Sequence, residues 1–319
     1  MHPLRTPDVN YHNNLQKIGG TMRKVVLAGG TGFVGQYVER KFKDQGYEVI
    51  IISRQPQHVN WSNHAAIVHA LEDAEMVVNL AGKSVNCRYT EANKREIFDS
   101  RMETTEALGA AILNCDTPPP LWINASTSTI YRHAEDRPMT EANGEFGKGF
   151  SVEVGKAWEQ ALFSFNLKTT RQVALRLSIV LGKDGGVMTP YENMVRFGLG
   201  GKQGNGNQMF SWIHIEDVYR IIVYIRDNDA ISGVINTTSP EPVTNRELMQ
   251  ELRKAMNRKI GLPAAEWILS IGGRIIGTEP ELILKSRWSL PERLEQAGFR
   301  FAYPTLDRAL ENILNKSNK

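Results

Sequence analysis

The sequence predicts an α/β protein: a Rossmann doubly wound parallel sheet with a smaller, mostly helical C-terminal substrate region. Two observations predict this class. Short apolar segments alternate with segments of helical periodicity from Met22 to about Leu181, and the first apolar segment ends at a glycine-rich turn. After about residue 181 the alternation stops and loops become longer.

Five apolar segments have the length and composition of buried parallel strands. They are residues 24–28, 49–52, 76–80, 121–125 and 173–177. Helices are predicted from Val34 to a stop at Gly46, over 91–113 and over about 151–167. Residues 54–75 show only a weak pattern.

The later part of the chain is organised differently. A glycine-rich loop spans 200–206, a helix follows residues 211–214, and 233–236 is a late strand. Residues 244–247 form a capping box, and the tail over 262–316 is mostly helical. We expect a disordered lead over 1–21, a Rossmann domain over 22–182 whose core takes in about 211–238, and a substrate region over 183–316. Met22 is a candidate for the true start.

Composition excludes several classes of protein. The chain has 319 residues, 41% hydrophobic and 23% charged, with a net charge of +3. This charge is too small to indicate nucleic acid or a membrane surface as a partner. No apolar run approaches the roughly 20 residues that span a bilayer. Cys87 and Cys115 form no metal-ligand pattern, so we expect reduced thiols, no metal and a cytoplasmic location.

A glycine turn directly follows the first predicted strand. Gly29, Gly32 and Gly35 have the spacing GxxGxxG and precede a predicted helix. Glycine lets the backbone approach a pyrophosphate closely, and the start of the helix offers free N–H groups. The turn therefore predicts a dinucleotide site, the alternative being a tight turn without a ligand. The predicted cofactor-binding residues are Gly29, Thr31, Gly32, Phe33, Val34 and Gly35.

The second predicted strand ends at Ser53 and Arg54. NAD-binding folds often place an acidic residue here against the ribose hydroxyls, but none occurs from Val49 to Val68. The planar guanidinium of Arg54 suits the 2′-phosphate of NADP, because its N–H groups can pair with two phosphate oxygens. We therefore predict NADP(H) as the cofactor, contacted by Ser53 and Arg54. The alternative is a solvated surface arginine.

Further motifs resemble a known family. Together with the glycine turn, residues 79–82 (Asn-Leu-Ala-Gly) and 126–131 (Ser-Thr-Ser-Thr-Ile-Tyr) are similar to successive motifs of extended short-chain dehydrogenases/reductases. Residues 290–294 (Leu-Pro-Glu-Arg-Leu) and 297–304 resemble the C-terminal region of the atypical "epimerase family" subgroup. The resemblance covers about 22–316. It implies a sheet of about seven strands, with NADP(H) on the glycine turn.

The same resemblance implies further cofactor contacts. Leu80, Ala81 and Gly82 would lie beside the ribose, and Ser126 and Val180 near the nicotinamide. Members of the superfamily also use a serine or threonine that orients the substrate oxygen, a tyrosine as general acid or base, and a lysine four residues later. Thr127 fits the first position by its motif; alternatively, its hydroxyl only bonds backbone at the strand end.

The tyrosine of the catalytic set is missing. No tyrosine lies between Tyr131 and Tyr191, and Tyr131 is expected to point away from the site. Lys156 fits the lysine position, but Val152 stands four residues earlier. A register shifted by one puts Ser151 and Gly155 in the two positions. Lys156 therefore either reaches the ribose or is a solvated helix residue.

Cations cluster around the start of the long predicted helix. If Lys83, Arg88 and Arg101 face the cleft, they favour an anionic substrate such as a nucleotide-sugar or a carboxylate. His214 either lines the same pocket or caps the helix that follows it. We thus expect an NADP(H)-dependent oxidoreductase or nucleotide-sugar epimerase acting on a small molecule. Alternatives are a catalytically silent NADP(H) sensor, or an interaction protein that keeps a cofactor for stability. The chain is expected to be a monomer or a homodimer.

Overall fold

Seven parallel strands form the central sheet of the part of the chain that the structure, a computed structural model, describes: residues 22–183, 185–264 and 285–314. The predicted disordered lead over 1–21 lies outside the described residues. So do residues 265–284 and 315–316 of the predicted helical tail.

The strands and helices have the following bounds. The strands are β1 Lys24–Ala28, β2 Glu48–Ser53, β3 Val59–Asn60, β4 Met76–Asn79, β5 Leu121–Thr127, β6 Arg171–Leu177, β7 Ile179–Leu181, β8 Met209–Phe210, β9 Trp212–His214, β10 Gly233–Thr237 and β11 Val243–Thr244. The helices are α1 Phe33–Asp44, α2 His64–Leu71, α3 Glu91–Leu113, α4 Phe150–Phe163, α5 Met188–Arg196, α6 Ile215–Arg226, α7 Asn245–Ala255, α8 Glu292–Gln296 and α9 Leu306–Leu314.

The order of the strands creates a cleft. The sheet runs β10-β6-β5-β4-β1-β2-β3, so the chain moves outward in one direction from β1 and then returns to place β4 on its other side. Ala28 of β1 is in register with Asn79 of β4. Open parallel sheets bind ligands outside the carboxyl ends of the strands at such a reversal. The predicted Rossmann class is confirmed, and its switch point lies at Gly29 and Leu80.

Helices cover both faces of the sheet, as the continuous apolar strands require. Alternate residues of β1 point to opposite faces. Val25 and Leu27 pack with apolar residues of α1 and α6, whereas Val26 and Ala28 pack with α2, α3 and α4. Each layer is a separate buried cluster, and together they make the strand ends at the cleft rigid.

The later part of the chain builds a third apolar cluster. Buried residues of α5, α7, α9 and β9 pack together there, among them Trp212 and Leu248. The predicted capping box is confirmed: Thr244 and Glu247 exchange side-chain and backbone hydrogen bonds at the start of α7. β10 also lies late in the chain, but it pairs with β6 in the main sheet.

Several elements escaped the sequence prediction, among them β3, α2 and α5. Residues 54–75 contain β3 and α2, although their pattern is weak. Asn63 caps α2 by accepting a hydrogen bond from the Ala66 amide at 3.0 Å. No helix in the described part of the chain has the length and apolar character needed to cross a membrane.

Candidate functional site

The glycine turn packs directly against the neighbouring strand. Gly29 has a φ of +76°, a conformation that side chains disfavour. A Cβ on Gly29 would lie 2.6 Å from the Ala81 backbone, and a Cβ on Gly35 would lie 2.6 Å from the Cα of Gly30. The close approach of these backbones therefore requires glycine at both positions.

The same turn leaves the start of α1 open. Gly32 is the N-cap and supplies no side chain to the first amides, and the first turn carries no acidic residue. Unsatisfied N–H groups and the positive end of the helix dipole favour an anion here. The geometry fits a phosphate or pyrophosphate.

A cavity of about 330 Å³ opens beside this helix start. It collects residues from the ends of β1, β4, β5 and β6 and from the helices α3 and α4. Of the residues predicted to bind cofactor or substrate or to act in catalysis, those lining it are Gly29, Gly32, Phe33, Val34, Gly35, Leu80, Arg101, Ser126 and Thr127. Ser151, which the shifted register of the sequence analysis had named, lines it too, whereas sequence reasoning missed Tyr89, Phe150 and Trp158.

Other predicted cofactor residues surround the turn without lining the cavity. The Gly29 amide bonds the Ile52 carbonyl at 2.9 Å, which holds the end of β2 beside the turn. Ser53 Oγ accepts from the Gln55 amide at 3.0 Å and lies 2.9 Å from His58 Nδ1. Arg54 is exposed at the same edge. The carbonyl of Thr31 accepts from the Gln36 side chain at 2.9 Å.

The segment after β4 is fixed by a buried asparagine pair. Asn79 donates to Asn124 Oδ1 at 2.7 Å and accepts from the Ala81 amide at 3.0 Å. Ala81 is buried against the turn, while Gly82 lies under the guanidinium of Arg101. Val180, on β7, pairs in register with Ile213 of β9 and does not line the cavity.

Arg101 is the predicted substrate residue that reaches the cavity. Its Nη1 donates to the Ile97 carbonyl at 2.8 Å, and its guanidinium lies 4.8 Å from the Trp158 ring centroid. Burial lowers the pKa of Arg101 to about 10, so the group stays positively charged at neutral pH. Among the described residues no carboxylate forms a salt bridge with it.

The structure places the other predicted substrate residues outside the cavity. Lys83 forms a hydrogen bond with Asn93 at 2.9 Å and an ion pair with Glu96. Arg88 is exposed on the loop before α3. His214 caps α6, because its Nδ1 accepts from the Glu216 amide at 3.1 Å. Burial lowers the pKa of His214 to about 4, so the ring is neutral at physiological pH.

α4 turns an unexpected face to the cavity. Ser151 and Trp158 line it, and Gly155 packs so closely that a Cβ there would lie 3.1 Å from Thr127. Val152 is buried in a different cluster. Lys156 is exposed, with Glu153 at 3.4 Å. The face of α4 that meets the cavity therefore carries Ser151 and Trp158, and not Val152 or Lys156.

The hydroxyls at the end of β5 already have partners. Thr127 Oγ1 accepts from the Thr129 amide at 3.1 Å, and Ser126 donates to Glu159 at 2.6 Å. Glu159 also accepts two hydrogen bonds, each 2.7 Å, from Arg176 of β6. Sequence reasoning missed this pair, although a charged residue within an apolar strand must be paired when buried. Arg176 bonds the Tyr131 hydroxyl at 2.8 Å, which points Tyr131 away from the cavity.

Comparisons with known proteins agree with this geometry. The chain matches the family model described as "NAD dependent epimerase/dehydratase family" over residues 25–237 and a "domain of unknown function" model, DUF1731, over 265–313. Epimerase family protein YfhF of Bacillus subtilis is 32% identical over 302 residues, covering 91% of this chain and 97% of the relative. Human epimerase family protein SDR39U1 is 31% identical over 303 residues, with 91% and 99% covered.

A solved structure is also similar along most of the chain. The crystal structure of human SDR39U1, isoform 2, with NADPH has a TM-score of 0.83 and 29% sequence identity. The match covers 91% of this chain and 99% of the human one.

Proposed function

Because the chain belongs to the NAD dependent epimerase/dehydratase family, we propose that it binds NADP(H) at the glycine turn and acts as an oxidoreductase or nucleotide-sugar epimerase. The observation that carries this proposal is the uncapped start of α1 at the mouth of a cavity that also contains Thr127 and Arg101. The similarity to a human protein crystallised with NADPH supports the choice of cofactor.

The residues have separate tasks in this proposal. A bound reduced nicotinamide supplies a hydride to a carbonyl carbon, and its oxidised form takes one from an alcohol carbon. Gly29, Gly32 and the first amides of α1 hold the pyrophosphate. Thr127 orients the substrate oxygen by donating its hydroxyl proton, while that hydroxyl still accepts from Thr129.

Arg101 supports a proposal for the class of substrate. A guanidinium that lines the cavity and lies against an aromatic ring offers N–H groups to an anion. We therefore propose a carbonyl or alcohol compound that also carries a carboxylate or a phosphate. Lys83 is engaged with Glu96, so it contributes less than Arg101.

The first test measures binding and turnover together. We expect the purified chain to bind NADPH in a calorimeter and to oxidise it, followed by absorbance, when an anionic carbonyl substrate is present. Neutral analogues of the same carbonyl compounds serve as matched controls and should react more slowly. Absence of NADPH binding would contradict the cofactor assignment.

A second candidate function is an NADP(H) sensor without turnover. It is favoured by one observation: the residues of α4 that line the cavity are Phe150, Ser151, Val154 and Trp158, and none of them is a tyrosine or a lysine. Tight NADPH binding without oxidation across anionic and neutral carbonyl compounds would support the sensor.

The proposed NADP preference rests on Arg54. We expect Arg54→Ala to weaken NADPH binding about 10- to 100-fold, since hydrogen bonds to charged groups contribute about 1.5–3 kcal/mol. NADH binding should stay unchanged, because NADH has no 2′-phosphate. Calorimetric titration of both cofactors checks this.

A matched control is Arg40→Ala, which removes the same charge from an exposed position on α1 near the Tyr37 ring. Its NADPH affinity should equal that of the wild type. Equal losses of NADPH affinity in the two variants would show a general charge effect and overturn the role of Arg54.

A further inference from the structure

Tyr89 brings a phenol to the cavity from an element outside α4. It lies on the segment between β4 and α3, next to Thr90, which caps α3. Its ring packs edge-on against Phe150 with the centroids 5.2 Å apart, and its hydroxyl lies 3.4 Å from Ser151 Oγ. Both contacts are with the first turn of α4. The phenol is thereby held beside Ser151, one of the two positions that the resemblance offers for the superfamily's tyrosine.

A guanidinium borders the same cavity as this phenol. Arg101 on α3 lines the same cavity. Burial lowers the pKa of Arg101 to about 10, and the charge of an ionised Tyr89 hydroxyl opposes that fall. Lys94 lies 5.9 Å from the Phe150 ring centroid but forms an ion pair with Glu91 at 2.9 Å, so Arg101 is the cation that this inference uses. A nearby cation favours the ionised form of a phenol.

Ser151 and Gly155 on α4 supply neither a phenol nor a cation. Ser151 lines the cavity, and its Oγ lies 3.4 Å from that of Tyr89. A Cβ at Gly155 would lie 3.1 Å from the side-chain methyl group of Thr127, so a larger side chain there would push the Thr127 side chain. Arg101 from α3 and Tyr89 from the loop before α3 bring these two groups to the cavity instead.

We propose that Tyr89 is the general acid and base of the reaction and that Arg101 stabilises its ionised form, an inference that rests on the proposed function. As the carbonyl carbon gains its hydride, the O–H bond of Tyr89 breaks and the proton joins the carbonyl oxygen. The bonding electrons stay on the Tyr89 oxygen, the carbonyl compound becomes an alcohol, and NADPH becomes NADP⁺. A proton from water then restores the phenol. The reverse direction uses the phenolate as the base.

Replacement of the hydroxyl tests the catalytic role. Tyr89→Phe keeps the ring against Phe150, so NADPH affinity and thermal stability should stay as in the wild type. Turnover of the best anionic carbonyl substrate should fall at least about 100-fold, as expected when a general acid is lost. Tyr191→Phe is the matched control: Tyr191 lies on α5 in the third apolar cluster, away from the cavity. Wild-type turnover in Tyr89→Phe would overturn the proposal.

A second measurement needs no substrate. The near-ultraviolet absorbance of tyrosinate is recorded against pH for the wild type and for Tyr89→Phe. The difference between the two curves reports the ionisation of Tyr89 alone. The same difference is then taken between Arg101→Met and the double variant Arg101→Met/Tyr89→Phe. Its midpoint should lie about one pH unit above the midpoint in the wild-type background, because a positive charge has been removed. Arg101→Lys should restore most of the shift. An unmoved midpoint in Arg101→Met would contradict the pairing of the two groups.

Failure of the proposed function and failure of the role of Tyr89 give different results. If no variant and no wild-type protein binds NADPH, the proposed function fails, whatever the titration shows. If NADPH binds but Tyr89→Phe reacts normally or the midpoint is insensitive to Arg101, the proposed function stands and the role of Tyr89 is wrong.

Discussion

Gly35→Ala is expected to abolish measurable NADPH binding and to lower the free energy of unfolding by about 1–3 kcal/mol, the usual cost of overpacking. The added Cβ would lie 2.6 Å from the Gly30 Cα and 2.8 Å from the Gly29 carbonyl oxygen. Both are backbone atoms, which cannot rotate away as a side chain can. α1 would therefore move outward and carry its open N-terminus away from the cavity. Calorimetry with NADPH and urea unfolding measure the two effects.

Gly32→Ala separates the requirements of the fold from those of the ligand. A Cβ at Gly32 meets only the Gly29 carbonyl oxygen, at 3.7 Å, and the φ of −80° suits any residue. The free energy of unfolding should therefore change little. NADPH affinity should still fall, because the methyl group would stand where the pyrophosphate must approach the backbone. Unchanged affinity in Gly32→Ala would place the pyrophosphate away from this residue.

Arg176→Met is expected to lower the free energy of unfolding by about 3–5 kcal/mol, because the carboxylate of Glu159 would remain buried without its partner. The two side chains are only 6% and 10% exposed and share two hydrogen bonds. Ser126 also donates to Glu159, so the end of β5 at the cavity should loosen as well. Urea unfolding monitored by circular dichroism gives the change.

The control for Arg176→Met is the same substitution in an exposed pair. Arg196 lies 3.7 Å from Glu192 on α5, and its side chain is 52% exposed. Exposed pairs contribute only about 0–1 kcal/mol, so Arg196→Met should change stability little. The double variant Glu159→Leu/Arg176→Met should recover much of the loss, since no unpaired charge is then buried. Equal destabilisation of Arg176→Met and Arg196→Met would contradict this account.

The predictable part of the site is the part made by contiguous residues. The glycine turn, the strand before it and the helix after it are neighbours in the chain, and their geometry is local. Strong patterns such as 91–113 gave the observed helix bounds for α3. The short α2 escaped because eight residues contain too little periodicity, and its Asn63 cap is a weak signal alone.

Sequence patterns could not decide which cations meet the cavity. Lys83, Arg88 and Arg101 stand within twenty residues of each other, yet only Arg101 among them lines it. Lys83 forms an ion pair with Glu96 of α3, and Arg88 lies exposed on the loop before α3. The difference depends on the rotation of α3 and on the path of the loop before it, both of which are set by packing against the sheet.

The sequence by itself determined the Rossmann class, the glycine turn and the lack of a tyrosine between Tyr131 and Tyr191. These features depend on local backbone conformation, on residue periodicity and on residue identity. Only the tertiary structure decided that α4 presents Ser151 and Trp158 to the cavity, that Glu159 and Arg176 form a pair, and that Tyr89 reaches α4 from another segment. The reason is physical: helix rotation and contacts between distant segments follow from the packing of whole layers, which no short stretch of sequence encodes.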